Sequence, residues 1–394
     1  EAVVKKHFEE LRRFKETLQL KINVSQLKQG HQTGQDVQFI KAAIQLGSEE
    51  DKCLQSLFIT NPMDDRDAII TAKGVRVDGT CEWITSTNEY RAWIASPPSL
   101  LWLSGGPGKG KTFISIFLTK SLSESANVIY FFCDNKDASR NTAVALLRGL
   151  LYQLVGRYPQ LLRHVLTPWK IQQDALFNSN SFESLWRIFQ TMLEDVGTDL
   201  ICVLDGLDEC AGGSLTSILQ KIKILFTESL EKHKLRLIIL SRRHPDCLER
   251  MLGSFARIDL DSDQASNQSD INSYITSRIA QFAERKGIST SLVKHIEKTF
   301  REKSEDTFLW VSFMADDLER QTVSGVEEAL QTLPKGLNEV YERILLHIKR
   351  EDTAIIATML QWISLALNPL TVPQLAEAMR IQASIHLSKE ELLI

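Results

Sequence analysis

The sequence has no apolar run near the roughly 20 residues that a membrane-spanning helix needs. It opens EAVVKKHFEE, without Met and without a signal-like apolar stretch, so a piece of a longer protein is expected. There is no basic excess: 46 Lys and Arg stand against 50 Asp and Glu, a formal net charge of −4. That argues against a generally basic nucleic-acid surface, and neither nucleic acid nor membrane is expected as a partner. No CxxC pair and no His pair at zinc spacing occur, which leaves zinc sites without a candidate. Cys133 and Cys202 lie in apolar, strand-like runs and read as buried reduced thiols. A reducing compartment, cytosol or nucleus, is expected from that usage, with the cytoplasm preferred. No internal repeat or low-complexity stretch is present.

What is present suits two or three globular domains: 394 residues, 43% hydrophobic and 24% charged. Val4, Phe8, Leu11, Phe14 and Leu18 recur at helical spacing over 1–22, and a shorter helix is expected near 36–46. The stretch 61–76 mixes turn residues with a short apolar run and reads as an irregular connector. Residues 81–96 place Trp83, Tyr90 and Trp93 on one expected helix, stopped by Pro97-Pro98. Packing into a core is the expected role of these aromatics, ahead of stacking on a base.

Short apolar strands are then expected at 100–103, 128–133, 200–204, 236–240 and 257–260, with helices near 113–122, 141–155, 181–194 and 215–226. Strands that are apolar on both faces and alternate with helices predict a parallel sheet covered on both sides, an α/β three-layer architecture. From Asp270 onward only helical periodicity appears, with helices expected over 308–318 and 337–348 and a turn at 333–336.

Gly105-Gly106-Pro107-Gly108-Lys109-Gly110-Lys111-Thr112 fits GxxxxGK[ST]. Chance produces such a match in roughly one chain of this length in a hundred, and the strand before and helix after make it far more specific. Backbone N–H groups of such a loop wrap phosphate oxygens, and the helix N-terminus adds partial positive charge. Lys111 is placed to reach the β- and γ-phosphates, Thr112 to ligate magnesium, and Phe113 follows as the first apolar residue of the helix. The apolar strand Leu200–Leu204 ends in Asp205, a second magnesium residue. Glu209 is the candidate for activating the attacking water, with Asp208 as its substitute or as an aid at the metal. The strand Arg236–Leu240 ends in Ser241-Arg242-Arg243, where either arginine is a candidate γ-phosphate sensor.

At these three motifs the sequence resembles the NACHT branch of the STAND P-loop NTPases, in particular the fungal proteins of heterokaryon incompatibility and NOD-like-receptor type. GGPGKGKT at 105–112, LICVLDGLDEC at 200–210 and LIILSRRHPD at 237–246 carry the likeness. NPMDDRDAI (61–69), DTFLWVSFMADDLE (306–319), LPKGLNEVYERIL (333–345) and NPLTVPQLAEAM (368–379) extend it across about residues 55–385. The family often has Gly where Thr307 stands.

The resemblance implies Lys111 and Thr112 at the triphosphate and metal, Asp205 at the metal, Glu209 as the hydrolytic acid and Arg242 as the sensor. It implies ATP or GTP, their diphosphates and magnesium as ligands, with slow hydrolysis. It further implies self-association on activation, with an N-terminal effector and C-terminal WD40 or ankyrin repeats outside this chain. The expected division is 1–60 N-terminal helical segment, 61–262 nucleotide-binding domain with its lead-in, 263–350 helical domain and 351–394 the start of a winged helix. A continuously cycling remodelling ATPase and a non-hydrolysing, nucleotide-stabilised scaffold stay open beside the switch. No Asn-Lys-x-Asp guanine-reading motif is present, which leans towards ATP while leaving GTP open.

Overall fold

A computed structural model describes residues 48–123, 126–262, 264–366 and 370–380. In chain order its elements are α1 (Ser48–Leu57), α2 (Pro62–Lys73), α3 (Asn88–Ala95), β1 (Ser99–Ser104), α4 (Lys111–Ser123), β2 (Asn127–Phe132), α5 (Ala143–Arg157), α6 (Leu162–Gln172) and α7 (Phe182–Val196). There follow β3 (Leu200–Asp205), α8 (Gly212–Glu228), β4 (Leu235–Ser241), α9 (Cys247–Leu252), β5 (Ala256–Asp259), α10 (Gln264–Lys286), α11 (Thr290–Lys303) and α12 (Phe308–Arg320). The last helices are α13 (Val326–Thr332), α14 (Gly336–Leu346), α15 (Thr353–Leu365) and α16 (Val372–Ala378). The helices expected at 1–22 and 36–46 lie outside the described residues. From 351 onward the described residues show α15 and α16 but no winged helix, and residues 381–394 lie outside them.

The chain forms two compact units. One contains α1, most of α5, and α6 and α7. Its α7 buries Leu185, Trp186, Phe189, Met192 and Leu193 along one stripe, as an i, i+3/i+4 apolar pattern requires. Arg148 donates to the carbonyls of Ser56 (2.6 Å), Leu57 (3.2 Å) and Phe58 (3.1 Å), placing a guanidinium at the end of α1, where carbonyls lack helical partners.

The other unit is built on a five-stranded, wholly parallel sheet in the order β2-β3-β4-β1-β5. Side chains alternate across it. Leu101, Leu103, Val128, Tyr130, Ile201, Val203, Ile238 and Leu240 share one cluster with Ile114, Leu118 and Leu122 of α4 and with Tyr90 and Trp93 of α3. The intervening Trp102, Ile129, Phe131, Cys202, Leu204, Leu237 and Ile239 are buried as well, so both faces are covered. Trp93 is 2% exposed, and its indole N–H donates to the Leu237 carbonyl at 3.1 Å; the aromatics before β1 thus pack into the core, as expected. Each such aromatic contributes about 1.5–3 kcal/mol by leaving water.

Two readings need correction. Residues 61–76 are not an irregular connector, since α2 occupies most of them. Asn61 caps it by accepting from Met63 N–H (3.2 Å), Pro62 sits at the first position, Asp64 and Asp65 in the first turn, and Gly74 at the end. Residues 81–96 are not one helix. A 3-10 turn, Glu82–Ser86, is followed by a fresh start at Thr87, whose hydroxyl accepts from Tyr90 N–H at 3.2 Å.

In this same unit α10–α14 gather a second core around Ile275, Ile279, Phe282, Phe300, Trp310, Val311 and Leu318. Trp310 donates its indole N–H to Pro334 O (3.0 Å), tying α12 to the 333–336 turn.

Candidate nucleotide site

The loop Gly105–Gly110 leaves the carboxyl end of β1 and enters α4 at Lys111. Gly108 and Gly110 have φ of +72° and +82°, conformations an L side chain rarely adopts. A Cβ on Gly108 would lie 2.7 Å from Leu309 Cβ and 2.8 Å from Thr307 Cγ2. Lys111 folds back so that Nζ donates to Gly105 O (2.7 Å) and Gly106 O (2.8 Å). Burial pushes its ammonium below the ordinary lysine range, against the opposing pull of Asp208 and Asp205. The Gly106 N–H points at the Asp261 carboxylate, 3.1 Å from both oxygens, so an anion already sits on one loop amide.

β3 and β4 deliver the acids and the arginine to the same sheet edge. Asp205, 6% exposed, lies beside the Thr112 hydroxyl, which favours its charged form. Burial raises its carboxyl to about 6, opposed by Lys73, by the Thr112 hydroxyl and by Lys111. The buried Asp205 carboxylate and the half-buried Thr112 hydroxyl are hard oxygen donors at the loop that suit magnesium, an ion that keeps waters and phosphate oxygens as its other ligands. Among the described residues no cluster of three or more His, Cys, Asp or Glu offers an all-protein metal cage.

Asp208 and Glu209 stand on the 3-10 turn Leu207–Glu209 and do different things. The Asp208 carboxylate accepts from Arg242 N–H (3.1 Å) and pairs with its guanidinium at 3.4 Å. Glu209 accepts from Asn135 N–H at 3.3 Å, and burial raises its carboxyl above the ordinary range. Of the two arginines, Arg242 faces Asp208, while Arg243 is paired with Asp259 at the end of β5.

Lys109 does not aim at the loop's interior. Its ammonium donates to Asp306 O (2.9 Å) and Glu305 O (3.5 Å), the Phe308 N–H donates to Gly108 O (2.9 Å), and the Phe308 ring lies where a Gly110 Cβ would be 3.1 Å away. The start of α12 is thus laid directly on the phosphate loop. Beside it a pocket with about 390 Å³ of empty space, part of it open to solvent, is lined by Val75, Cys81, Phe113, Asn267, Tyr274 and Phe308, among others.

Sequence reasoning missed two residues here. Lys73, the last residue of α2, donates to Thr112 Oγ1 at 3.2 Å. Asp270 of α10 accepts from Cys81 N–H (2.7 Å) and from the Trp83 indole (3.1 Å), fastening the lead-in to the helical part. An N-cap, Pro62 and Gly74 bracketing twelve residues were the available signal for Lys73. None existed for Asp270, whose partners are about 190 positions away.

Residues 79–242 match the family model described as Nephrocystin 3, N-terminal, a stretch that contains the loop, Asp205, Glu209 and Arg242. The chain is 29% identical over 355 residues to the vegetative incompatibility protein HET-E-1 of Podospora anserina, which covers 87% of this chain and 26% of that protein. The chain therefore spans about a quarter of that relative's length. Among solved structures it is similar to the Walker-type ATPase PABY2304 of Pyrococcus abyssi (14% identity, 81% of this chain and 88% of that one, TM-score 0.40). It is also similar to Cdc6p from Pyrobaculum aerophilum (13%, 78% and 80%, TM-score 0.39).

Proposed function

We propose that this chain, a P-loop NTPase module of the NACHT type, is the nucleotide-operated switch of a larger signalling protein. The observation that carries this reading is the contact between Gly108–Gly110 and the Glu305–Phe308 turn. A loop that grips phosphate and also holds the first turn of α12 transmits any rearrangement of one to the other. A ligand shifts such an equilibrium only by binding its two states unequally, so triphosphate and diphosphate must contact them differently.

In this reading the N–H groups of Gly105–Thr112 and the Lys111 ammonium hold the β- and γ-phosphates. Thr112 and Asp205 hold magnesium, which screens phosphate charge when bound. Glu209 orients and deprotonates water, with Asp208 fixing Arg242 so that its guanidinium meets the γ-phosphate. Phe113, Tyr274 and Phe308 offer apolar faces to a base entering the pocket beside the loop. The hydrolysis proposed is slow, the base ATP's or GTP's, and the setting cytoplasmic. Self-association and the control of incompatibility or cell death belong to the whole protein. Its effector and its WD40 or ankyrin repeats lie outside this chain. The divisions at 61, 263 and 351 are kept as functional parts of this reading.

The test is calorimetric titration of the nucleotide-free chain with ATP and with GTP, each with Mg²⁺, alongside Lys111→Ala. Tight binding of one nucleotide that is lost in the variant supports the site and chooses the base. No binding by folded wild type refutes it. Fast steady turnover without a stimulus favours a cycling remodelling ATPase, and binding with no hydrolysis, unchanged in Glu209→Gln, favours a scaffold.

A further inference from the structure

The magnesium position proposed above is approached by a side chain that nucleotide chemistry does not call for. The Lys73 ammonium donates to Thr112 Oγ1 at 3.2 Å, and both groups act on the neighbouring Asp205 carboxylate. Lys73, Thr112 and Asp205 thus form a cation–hydroxyl–carboxylate cluster of the kind a metal ion would complete.

The placement is built into the fold. Ile69 and Ile70, one turn earlier on α2, pack against the sheet cluster. Helix α2 ends at Lys73, with the Gly74 N–H bonded to Ile70 O at 2.9 Å. Just beyond, Arg76 lies 5.0 Å over the Phe117 ring of α4 and bonds to the Thr80 carbonyl. The backbone on either side of Lys73 is therefore pinned to the nucleotide-binding unit, and only its four-carbon stem is free to swing.

We propose that Lys73 is the resident cation of the metal-free site, holding the magnesium position by its ammonium and leaving when a divalent ion enters. A magnesium ion bonds oxygen at about 2.0–2.1 Å and takes the lone pairs that Lys73 uses. Two cations on one hydroxyl repel, so the ion and the ammonium exclude each other. Metal binding is then an exchange, and the end of α2 senses it because its last side chain is released. The inference rests on the nucleotide–metal reading of the site.

The test measures Mn²⁺ affinity directly, by the electron paramagnetic resonance of free Mn²⁺. ADP and GDP are each used at saturating concentration, on wild type, Lys73→Met, Lys73→Arg and Lys120→Met. Lys120 is exposed on the same α4, eight positions from Thr112, and controls for general loss of positive charge. Removing a solvent-exposed competitor is expected to tighten Mn²⁺ about fivefold in Lys73→Met, with Lys73→Arg and Lys120→Met close to wild type. A merely structural role for Lys73 would loosen Mn²⁺ instead. Unchanged or weaker Mn²⁺ binding in Lys73→Met, or equal tightening in Lys120→Met, overturns the proposal. Failure of wild type to bind either nucleotide in the calorimetry refutes the underlying site instead, and the two failures are told apart by that titration.

Discussion

Replacing Gly108 with alanine strains the contact on which the switch reading stands. At φ +72° an alanine pays about 1–2 kcal/mol for the left-handed backbone. The added methyl would also lie 2.7 Å from Leu309 Cβ and 2.8 Å from Thr307 Cγ2. Neither atom is the far end of a flexible chain, so the clash is relieved only by moving the start of α12, at about 1–3 kcal/mol. Together about 2–5 kcal/mol is lost, a midpoint drop of roughly 4–20 °C by the usual scaling of about 2–4 °C per kcal/mol for domains of this size. The assay is a thermal melt, with hydrogen exchange at the Phe308 amide, whose bond to Gly108 O should open in the variant. Gly212→Ala is the control: a Cβ there meets nothing within 4 Å, at an ordinary backbone angle, and should change little. A Gly108→Ala midpoint within about a degree of wild type, with Phe308 exchange unaltered, would refute the claim that loop and α12 are interlocked.

Glu209→Gln should keep nucleotide binding and lower hydrolysis by about a hundredfold or more. Because burial raises the Glu209 carboxyl, the wild-type rate should fall with decreasing pH in a range above the ordinary value of 4.5, where the protonated acid can no longer take a proton. The sign for stability is opposite: a buried carboxylate costs stability above its raised value, so that contribution improves as pH falls through it and is absent in the glutamine variant. Trp93→Ala should cost about 3–5 kcal/mol in a denaturant titration, while Trp93→Phe, which loses chiefly the bond to Leu237 O, should cost about 1 kcal/mol. Asp270→Ala strands the Cys81 amide and the Trp83 indole and should cost about 1–3 kcal/mol, whereas Asp270→Asn retains an acceptor oxygen and should cost less.

The sheet was legible because its signals are local. LLWL, NVIYFF, LICVLD and LRLIILS are short apolar runs bounded by polar residues, and each forms a strand within a residue or two of expectation. The loop was legible for the same reason, its glycines and Lys111 being contiguous. The misread helix α2 has weak amphipathicity: only Ile69 and Ile70 pack on the core, so periodicity is nearly silent and the capping residues carry the signal. Helix α6 was also missed, with Pro168 inside it, a residue that normally argues against helix. What no local pattern encodes is which distant residues meet. Lys73 beside Thr112, Lys109 on the carbonyls of Glu305 and Asp306, and the Cys133 and Cys210 thiols 3.4 Å apart are outcomes of the tertiary fold.

The strand order also sets a timetable for synthesis. β1, which launches the phosphate loop, pairs only with β4 and β5, and β4 begins about 130 residues later. At ~5–20 residues per second a ribosome takes on the order of ten seconds to supply that partner. During this interval LLWL has no neighbouring strand to satisfy its amides, and the loop after it has no floor. β2 and β3 are both synthesised before β4, so the edge pair of the sheet is available before its centre. Nascent chains stopped before Leu235 should therefore hold Lys111 and Thr112 yet retain no nucleotide, and the unpaired β1 makes them natural clients for chaperones.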